Sequence, residues 1–296
     1  MNYRGSTFGI AAIDPVSGEW GAAVQSKFLA VGALVPWLGA SGGIVLTMAR
    51  TNATFGILGL KAISGKKSAS NIKDTLMQSD HDIESRQFAV IDLQGNISAF
   101  TGHNCLPYAN HLIHENFVCI GNTLMGSEVL EQMATAFTKT KGDLAMRLIA
   151  ALSAGQLAGG DRRGMESAAL IVNGSHHQTI GEINRLVDIR VDHSKCPIDD
   201  LRKLLDRHRI FYSTNHQNKY YPLTDHMKYI MITLLSELHG RRYEMQDFNV
   251  IANTYSEGIH FSKPIFINDR ISGEFVHKIV EDYYNLEYLT YSNYQP

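Results

Sequence analysis

Cysteine is scarce in this chain. Its 296 residues include three, Cys105, Cys119 and Cys196, too few for a disulfide framework and spaced for no zinc motif. No single sign of charge dominates: 27 Lys and Arg stand against 29 Asp and Glu, a net charge of −2. That balance gives neither nucleic acid nor an anionic membrane an electrostatic reason to bind, and neither is expected as a partner. No apolar run reaches the roughly 18 to 20 residues that cross a bilayer. The opening "MNYRGS" lacks the apolar core of a secretory signal, so the expected location is cytoplasmic. Phosphate-loop, serine-hydrolase and helical zinc motifs are absent. The glycines of "GGIVLTMA" and "AGGDRRG" lack the spacing of a dinucleotide fingerprint, and no cofactor is expected. The 13 histidines are scattered, with His176 and His177 adjacent in a predicted turn, so no metal site is expected either.

What is present is an ordinary globular composition, 44% apolar and 19% charged, in a chain long enough for one large domain with or without an extension. Residues 7–13 and 20–26 read as two strands joined by "DPVSG", which supplies Pro for a turn and Gly for positive φ. Both runs are apolar with little alternation, the pattern of strands covered on both faces. A third strand is predicted at 43–49. "TNATFGILGLKAIS" opens with capping residues and continues at helical period, and "SASNIKDTLMQSD" reads as a shorter helix. Strands return at 87–93 and 97–100 around "QGN", and again at "FVCIGN". Helices are predicted from Ser127 to Ala136 and from Asp143 to Leu157. "SAALIVNG" reads as a strand, "LVDIRVDH" as an edge strand, and "PIDDLRKLLDRHR" as an amphipathic helix opened by Pro. This order predicts an α+β fold with helix layers outside stacked sheets, not an alternating parallel sheet.

Composition shifts near residue 213. "STNHQNKYYPL" is polar, and beyond it "TDHMKYIMITLLSELHG" and "GEFVHKIVEDYYNLEYL" read as helices. The expected division is a domain over 1–212 and an appended α-rich C-terminal extension over 213–296. A small domain or an oligomerisation arm both suit that extension, which leaves room for a homo-oligomer.

Four features bear chemistry. Thr7 stands at the mouth of the first strand, where it is either a good strand residue or a nucleophile; a free N-terminal Thr carries its own base in the α-amine, of pKa about 8. Ser26 and Lys27 close the neighbouring strand, which the turn length brings back beside Thr7. Lys27 there is either a snorkelling surface residue or a cation that stabilises developing charge. Asn104 in "TGHNCLPYANH" and Asn122 in "CIGNTLMG" sit at polar strand exits, as turn residues or as donors to a carbonyl oxygen. Cys105, beside Asn104, has no motif that supports a nucleophile and reads as a small buried residue. Asp161, Arg162 and Arg163 follow two glycines, a sequence suited to a carboxylate-binding loop or to a buried ion pair.

Together "TFGIAAIDPVSGEWGAAVQSKFLAVGALVPW", "TGHNCLPYANH", "GNTLMG" and "AGGDRRGMESAALIV" resemble the DUF1028 family, over Thr7 to about Arg209. The family is held to be similar to the N-terminal nucleophile (Ntn) hydrolases, among them the proteasome β-subunits. The resemblance implies a four-layer αββα sandwich and an amidohydrolase acting on a small amide or peptide-like substrate. It places the nucleophile on Thr7 and the motif "SKF" on Ser26, Lys27 and Phe28. It sets "GN" on Gly121 and Asn122, and "GGDRRG" on Gly159 to Gly164. In that reading Thr7, Lys27 and Asn122 are catalytic, and Ser26, Asn104, Asp161, Arg162 and Arg163 bind substrate. Six residues precede Thr7, so N-terminal chemistry requires cleavage of the Ser6–Thr7 bond, with Ser6 as a weaker alternative start. The rival expectation is a non-catalytic binding protein on the same scaffold, with its N-terminus uncut.

Overall fold

A computed structural model describes residues 7–174, 184–212 and 220–292, with side chains through 286. The prefix 1–6, His176 and His177, and most of the polar stretch after 212 lie outside the described residues. The chain divides into two units, Met1–Arg202 and Lys203–Pro296. That division falls inside a continuous helix, earlier than the polar stretch where composition shifts.

In the first unit β1 (Thr7–Asp14) and β2 (Glu19–Ser26) form a hairpin. Its turn is set by the Asp14 carboxylate, which accepts from the Val16 N–H at 3.0 Å, and by Gly18 at φ 69°. After β3 (Pro36–Leu38) and β4 (Ile44–Ala49) come α1 (Ala53–Ser64), capped by the Asn52 side chain, and α2 (Ala69–Gln78). The hairpin of β5 (Arg86–Ile91) and β6 (Ile97–Thr101) leads to β7 (Asn110–Ile113) and β8 (Phe117–Asn122). Then follow α3 (Glu128–Lys139), α4 (Leu144–Leu157), β9 (Ser167–Gly174), β10 (Arg185–Val191) and α5 (Pro197–Tyr212), the last running into the second unit.

All strand pairs are antiparallel, in a six-stranded sheet ordered β10-β9-β2-β1-β8-β7 and a four-stranded sheet ordered β3-β4-β5-β6. One apolar cluster joins the sheets, with Ala11, Val24, Val118 and Ile120 of the larger packed with Ile44, Leu46, Met48 and Ile91 of the smaller. A second sets Phe55 and Ile63 of α1 and Ile72 and Leu76 of α2 against Val45, Phe88 and Val90. The helix α4 packs on β1, β2 and β9 and against α3. Strand period 2 explains the arrangement, because β1 and β2 are apolar on both faces and each face has a layer to cover it. The strand β10 lies at the sheet edge; Asp188 there pairs with Arg185 at 2.6 Å and Arg190 at 3.3 Å. Among the described residues no helix is long and apolar enough to cross a membrane.

The second unit adds β11 (Tyr220–Pro222), α6 (Asp225–Leu238), α7 (Phe248–Gly258), β12 (Phe266–Ile267), β13 (Arg270–Ser272) and α8 (Gly273–Ser292). Its own core holds Ile210, Met227, Met231, Leu235, Phe248, Ile251, Ile271 and Phe275. The expected α-rich extension therefore contains a small sheet, ordered β11-β13-β12. Its elements run helix, strand, two helices, hairpin and helix, with β13 central in the sheet.

Two glycines separate packing from propensity. A Cβ on Gly56 of α1 lands 2.1 Å from the Trp37 ring, whereas one on Gly258 of α7 meets nothing within 4 Å. Replacing a helical Gly by Ala gains up to about 1 kcal/mol, but overpacking costs about 1–3 kcal/mol. Gly56→Ala is therefore expected to destabilise its unit by about 1–2 kcal/mol, and Gly258→Ala to stabilise its own by about 0.5 kcal/mol. Both tryptophans, Trp20 and Trp37, lie in the first unit, so their fluorescence reads that unit in urea, and the part of the circular-dichroism change that does not follow it reads the second. Two shifts of the same sign would defeat the argument.

Candidate functional site

The hairpin register places Thr7 opposite Ser26, β8 places Asn122 on the other side of Thr7, and β9 places Ser167 beside Ser26. Directly paired residues share a face. Ser167, Ser26, Thr7 and Asn122 thus form one row across four strands, on the face turned to the smaller sheet. All four are buried. Thr7 Oγ1 donates to Ser26 Oγ at 3.2 Å, and Ser26 Oγ also accepts from the Phe28 N–H at 3.1 Å. Ser167 Oγ accepts from the Val31 N–H at 3.0 Å and donates to the Phe28 carbonyl.

Across the interface stands Gln87, a fully buried residue of β5. Its Nε2 donates to the carbonyl oxygen of Gly121 at 2.8 Å, to Thr101 Oγ1 at 3.0 Å and to the carbonyl of Asn110 at 3.1 Å. Three acceptors on one nitrogen fix which way the amide faces, and Oε1 accepts from Asn122 Nδ2 at 2.9 Å. Gln87 thereby orients Asn122.

Asn122 also lines a pocket of about 330 Å³ with Arg50, Ser85, Asn104, Cys105 and Leu106. Two residues adjoining this pocket have left-handed backbone, Ala49 at φ 63° and Thr123 at φ 55°. For a β-branched residue such as Thr that conformation is strained, and strain of this kind concentrates at functional sites. Arg50 Nη1 pairs with Asp82 at 2.6 Å, and behind it Arg86 Nε pairs with Asp80 at 2.9 Å while Arg86 Nη1 donates to the Arg50 carbonyl. Burial works to raise the Asp80 carboxyl; hydrogen bonds from Arg86, the Asp82 N–H and Asn52 outweigh it and hold the group below its usual value.

The other candidates lie as follows. Lys27 lies one residue past the end of β2, where the chain bends away from the strand. Its ammonium meets Glu166 at 3.4 Å and the Met165 carbonyl, not Thr7, which corrects the expectation of a cation beside the hydroxyl. His193 also binds Glu166, so hydrogen bonds from His193, against a burial contribution, hold that carboxyl below its usual value, with Lys27 adding to them.

Asp161 is buried and accepts from the Lys27 N–H at 3.3 Å, the Arg163 N–H at 2.9 Å and the Arg163 guanidinium. Arg163 also lies over the Phe28 ring, and Arg162 donates to the Pro107 carbonyl. With Met125 donating to the carbonyl of Gly160, which has φ 53°, and Arg162 N–H to that of Thr123, the loop ties the exits of β2 and β8 together. Its visible work is structural. Cys105 donates to the Arg86 carbonyl, and burial pushes its thiol up to about 11, so it offers little thiolate near neutrality. Among the described residues no group of three or more His, Cys, Asp and Glu is placed to hold a metal ion.

Two antiparallel sheets with flanking helices define a mixed α/β protein, with a polar pocket lined by Asn122 and Arg50. A family model described as "Family of unknown function (DUF1028)" matches residues 7–201, and the chain belongs to that family. The match begins on Thr7, the first residue of β1. The crystal structure of protein SPO2555 from Silicibacter pomeroyi, itself of family-model DUF1028, is similar at 27% identity and a TM-score of 0.63, covering 69% of this chain and 89% of that one. No curated protein matches.

Sequence reasoning missed Gln87, Arg50 and Ser167. The signal for Gln87 was an uncharged polar residue inside the apolar run "RQFAVI"; Arg50 had none, because the pocket closes only when β4, β5 and the 104–106 segment meet. Two outcomes follow. Asp161→Asn turns an amide NH2 toward backbone donors and is expected to cost about 2 kcal/mol or more in urea unfolding; an unchanged midpoint would refute the structural role of the loop. At pH 8 iodoacetamide is expected to label exposed Cys196 first, because a thiol of pKa about 11 is only about one part in a thousand thiolate there. Rapid labelling of Cys105 in the folded protein would restore it as a nucleophile candidate.

Proposed function

We propose that residues 7–201 form an Ntn-hydrolase-like four-layer αββα sandwich, and that the protein is a cytoplasmic amidohydrolase cleaving a small amide or peptide-like substrate through Thr7. The layering is supported by α1 and α2 on the outside of the smaller sheet, an apolar cluster between the sheets, and α4 on the outside of the larger. The observation that carries the function is the place of Thr7. It opens β1 between Ser26 and Asn122, and Asn122 belongs both to its row and to the pocket.

In this mechanism hydrolysis of the Ser6–Thr7 bond consumes one water and frees the Thr7 α-amine, since an acylated nitrogen has no useful basicity. The amine takes the hydroxyl proton as Oγ1 attacks the substrate carbonyl. Asn122, held by Gln87, and backbone N–H groups stabilise the oxyanion. The ammonium returns its proton to the leaving nitrogen as the C–N bond breaks, and an acyl ester on Thr7 remains. Water, deprotonated by the same amine, then releases the acid. Ser26 fixes the hydroxyl through their shared hydrogen bond, and Lys27 acts at most through Glu166. Nucleophile and base reside on one residue, so the chemistry needs neither cofactor nor metal.

One observation favours the rival, a binding protein on the same scaffold: the Thr7 side chain is buried and already donates to Ser26. Intact-mass measurement separates the two. Active protein is expected to begin at Thr7, with kcat/KM rising through about pH 8 as the amine loses its proton. Thr7→Ala is expected to keep residues 1–6 and to lose activity by roughly four orders of magnitude or more. Hydrolysis by uncut protein, equally fast in Thr7→Ala, would end this reading.

A further inference from the structure

Thr101, the last residue of β6, and His111 of β7 stand beside the amide that orients Asn122. Gln87 Nε2 donates to Thr101 Oγ1 at 3.0 Å, and Thr101 Oγ1 lies 2.9 Å from His111 Nδ1. An amide nitrogen only donates, so the hydroxyl oxygen is the acceptor in the first contact. Its single proton has one acceptor among the described residues, His111 Nδ1. That nitrogen is therefore bare, and the neutral ring carries its proton on Nε2. The donors then point one way along the chain, from Asn122 to Gln87 Oε1, from Gln87 Nε2 to Thr101 and from Thr101 to His111, and each bond polarises the next. A protonated ring reverses the last link. Its Nδ1–H donates to Thr101 Oγ1, which leaves the hydroxyl proton without its acceptor and sets a second donor on the oxygen that Gln87 uses.

We propose that His111 is a positioning residue of the candidate site: its bare Nδ1 takes the Thr101 proton and so fixes, through Thr101 and Gln87, the amide of Asn122, and protonation of the ring releases that amide. The role concerns the alignment of Asn122 and does not depend on the hydrolase reading. The surroundings favour the neutral ring. His111 pairs in register with Ile120, so it shares the face turned to the smaller sheet. The strands β6 and β8 carry no charged residue, and Cys119 of β8 faces the other side. On that other side lie His114, stacked on Phe117, and α3 with Glu128, Glu131 and Lys139, packed through Phe137 against Phe117. Arg86 of β5 is paired with Asp80. Of the charged residues in α2, Asp74 is exposed and Lys73 acts on the ring. Burial lowers the proton affinity of His111, and the Lys73 charge adds to that, so the ring titrates below its ordinary value.

The test is nuclear magnetic resonance of the isotope-labelled full chain from about pH 8 to about pH 5. The wild-type His111 ring is expected as the Nε2–H tautomer, titrating below about pH 6.5, with the side-chain amide signals of Gln87 and Asn122 shifting at the same midpoint. His111→Asn keeps an acceptor where Nδ1 stood and does not titrate in this range. It is expected to hold both amide signals near their neutral wild-type positions throughout. His111→Phe removes the acceptor and is expected to displace them at every pH. A neutral ring with its proton on Nδ1, a midpoint at or above about 6.5, or amide signals that ignore the ring each overturn the proposal, as do His111→Asn and His111→Phe moving the signals alike. The wild-type titration decides the matter alone if a variant does not fold, which its melting curve reports. No reading uses catalysis, so failure of the Thr7 mechanism and failure of this chain give different results.

Discussion

One amide holds the candidate site together. Gln87 rises from the smaller sheet into an otherwise apolar interface and shares its two N–H bonds among two carbonyls and a hydroxyl around the end of β8. A buried amide is costly unless every polar atom is paired, and here the pairing fixes both position and orientation. The order of dependence runs outward from it. Gln87 sets Asn122, Asn122 flanks Thr7 in the strand register, and the same Asn122 forms part of the pocket wall. Apolar packing brings the two sheets together, but it would tolerate sliding; a polar bolt across the interface specifies one alignment.

Much of this fold was legible as pattern. Long apolar strands such as β1, β2 and β9 and capped helices such as α1 and α4 declare themselves locally. The three-residue strand β3 and the polar strand β7, "NHLI", do not, because their pairing is imposed by neighbours and not by propensity. The same holds in the second unit, where β11, β12 and β13 are too short to carry a period and α7 is broken up by Asn and Thr. At the site, counting through the hairpin turn brings Ser26 to Thr7, since antiparallel register follows from the turn. Lys27 shows the limit of that counting: one residue further, the chain has left the strand and the side chain faces elsewhere. Arg50 was invisible because three segments distant in sequence surround it.

The "GGDRRG" loop shows how a charged, glycine-bounded stretch can serve structure before chemistry. Asp161 is buried with its oxygens facing backbone N–H groups of two segments, and the Arg163 guanidinium pairs with it. The loop clamps β2 where it ends, next to the residues that follow Ser26. Ser167 does the same from the other side, through Phe28 and Val31. The position of Thr7 is thus guarded twice, by sheet register and by two independent ties on the segment beyond its partner strand.

The edge of the larger sheet has a different consequence. An open strand edge is a template on which a second chain can extend the sheet, and the length of β10 invites it. Its Arg185 and Arg190 both pair with Asp188, and an added strand would have to dehydrate these ion pairs. The molecule therefore carries its own stop signal for templated growth. That dehydration cost opposes growth of the sheet at this border.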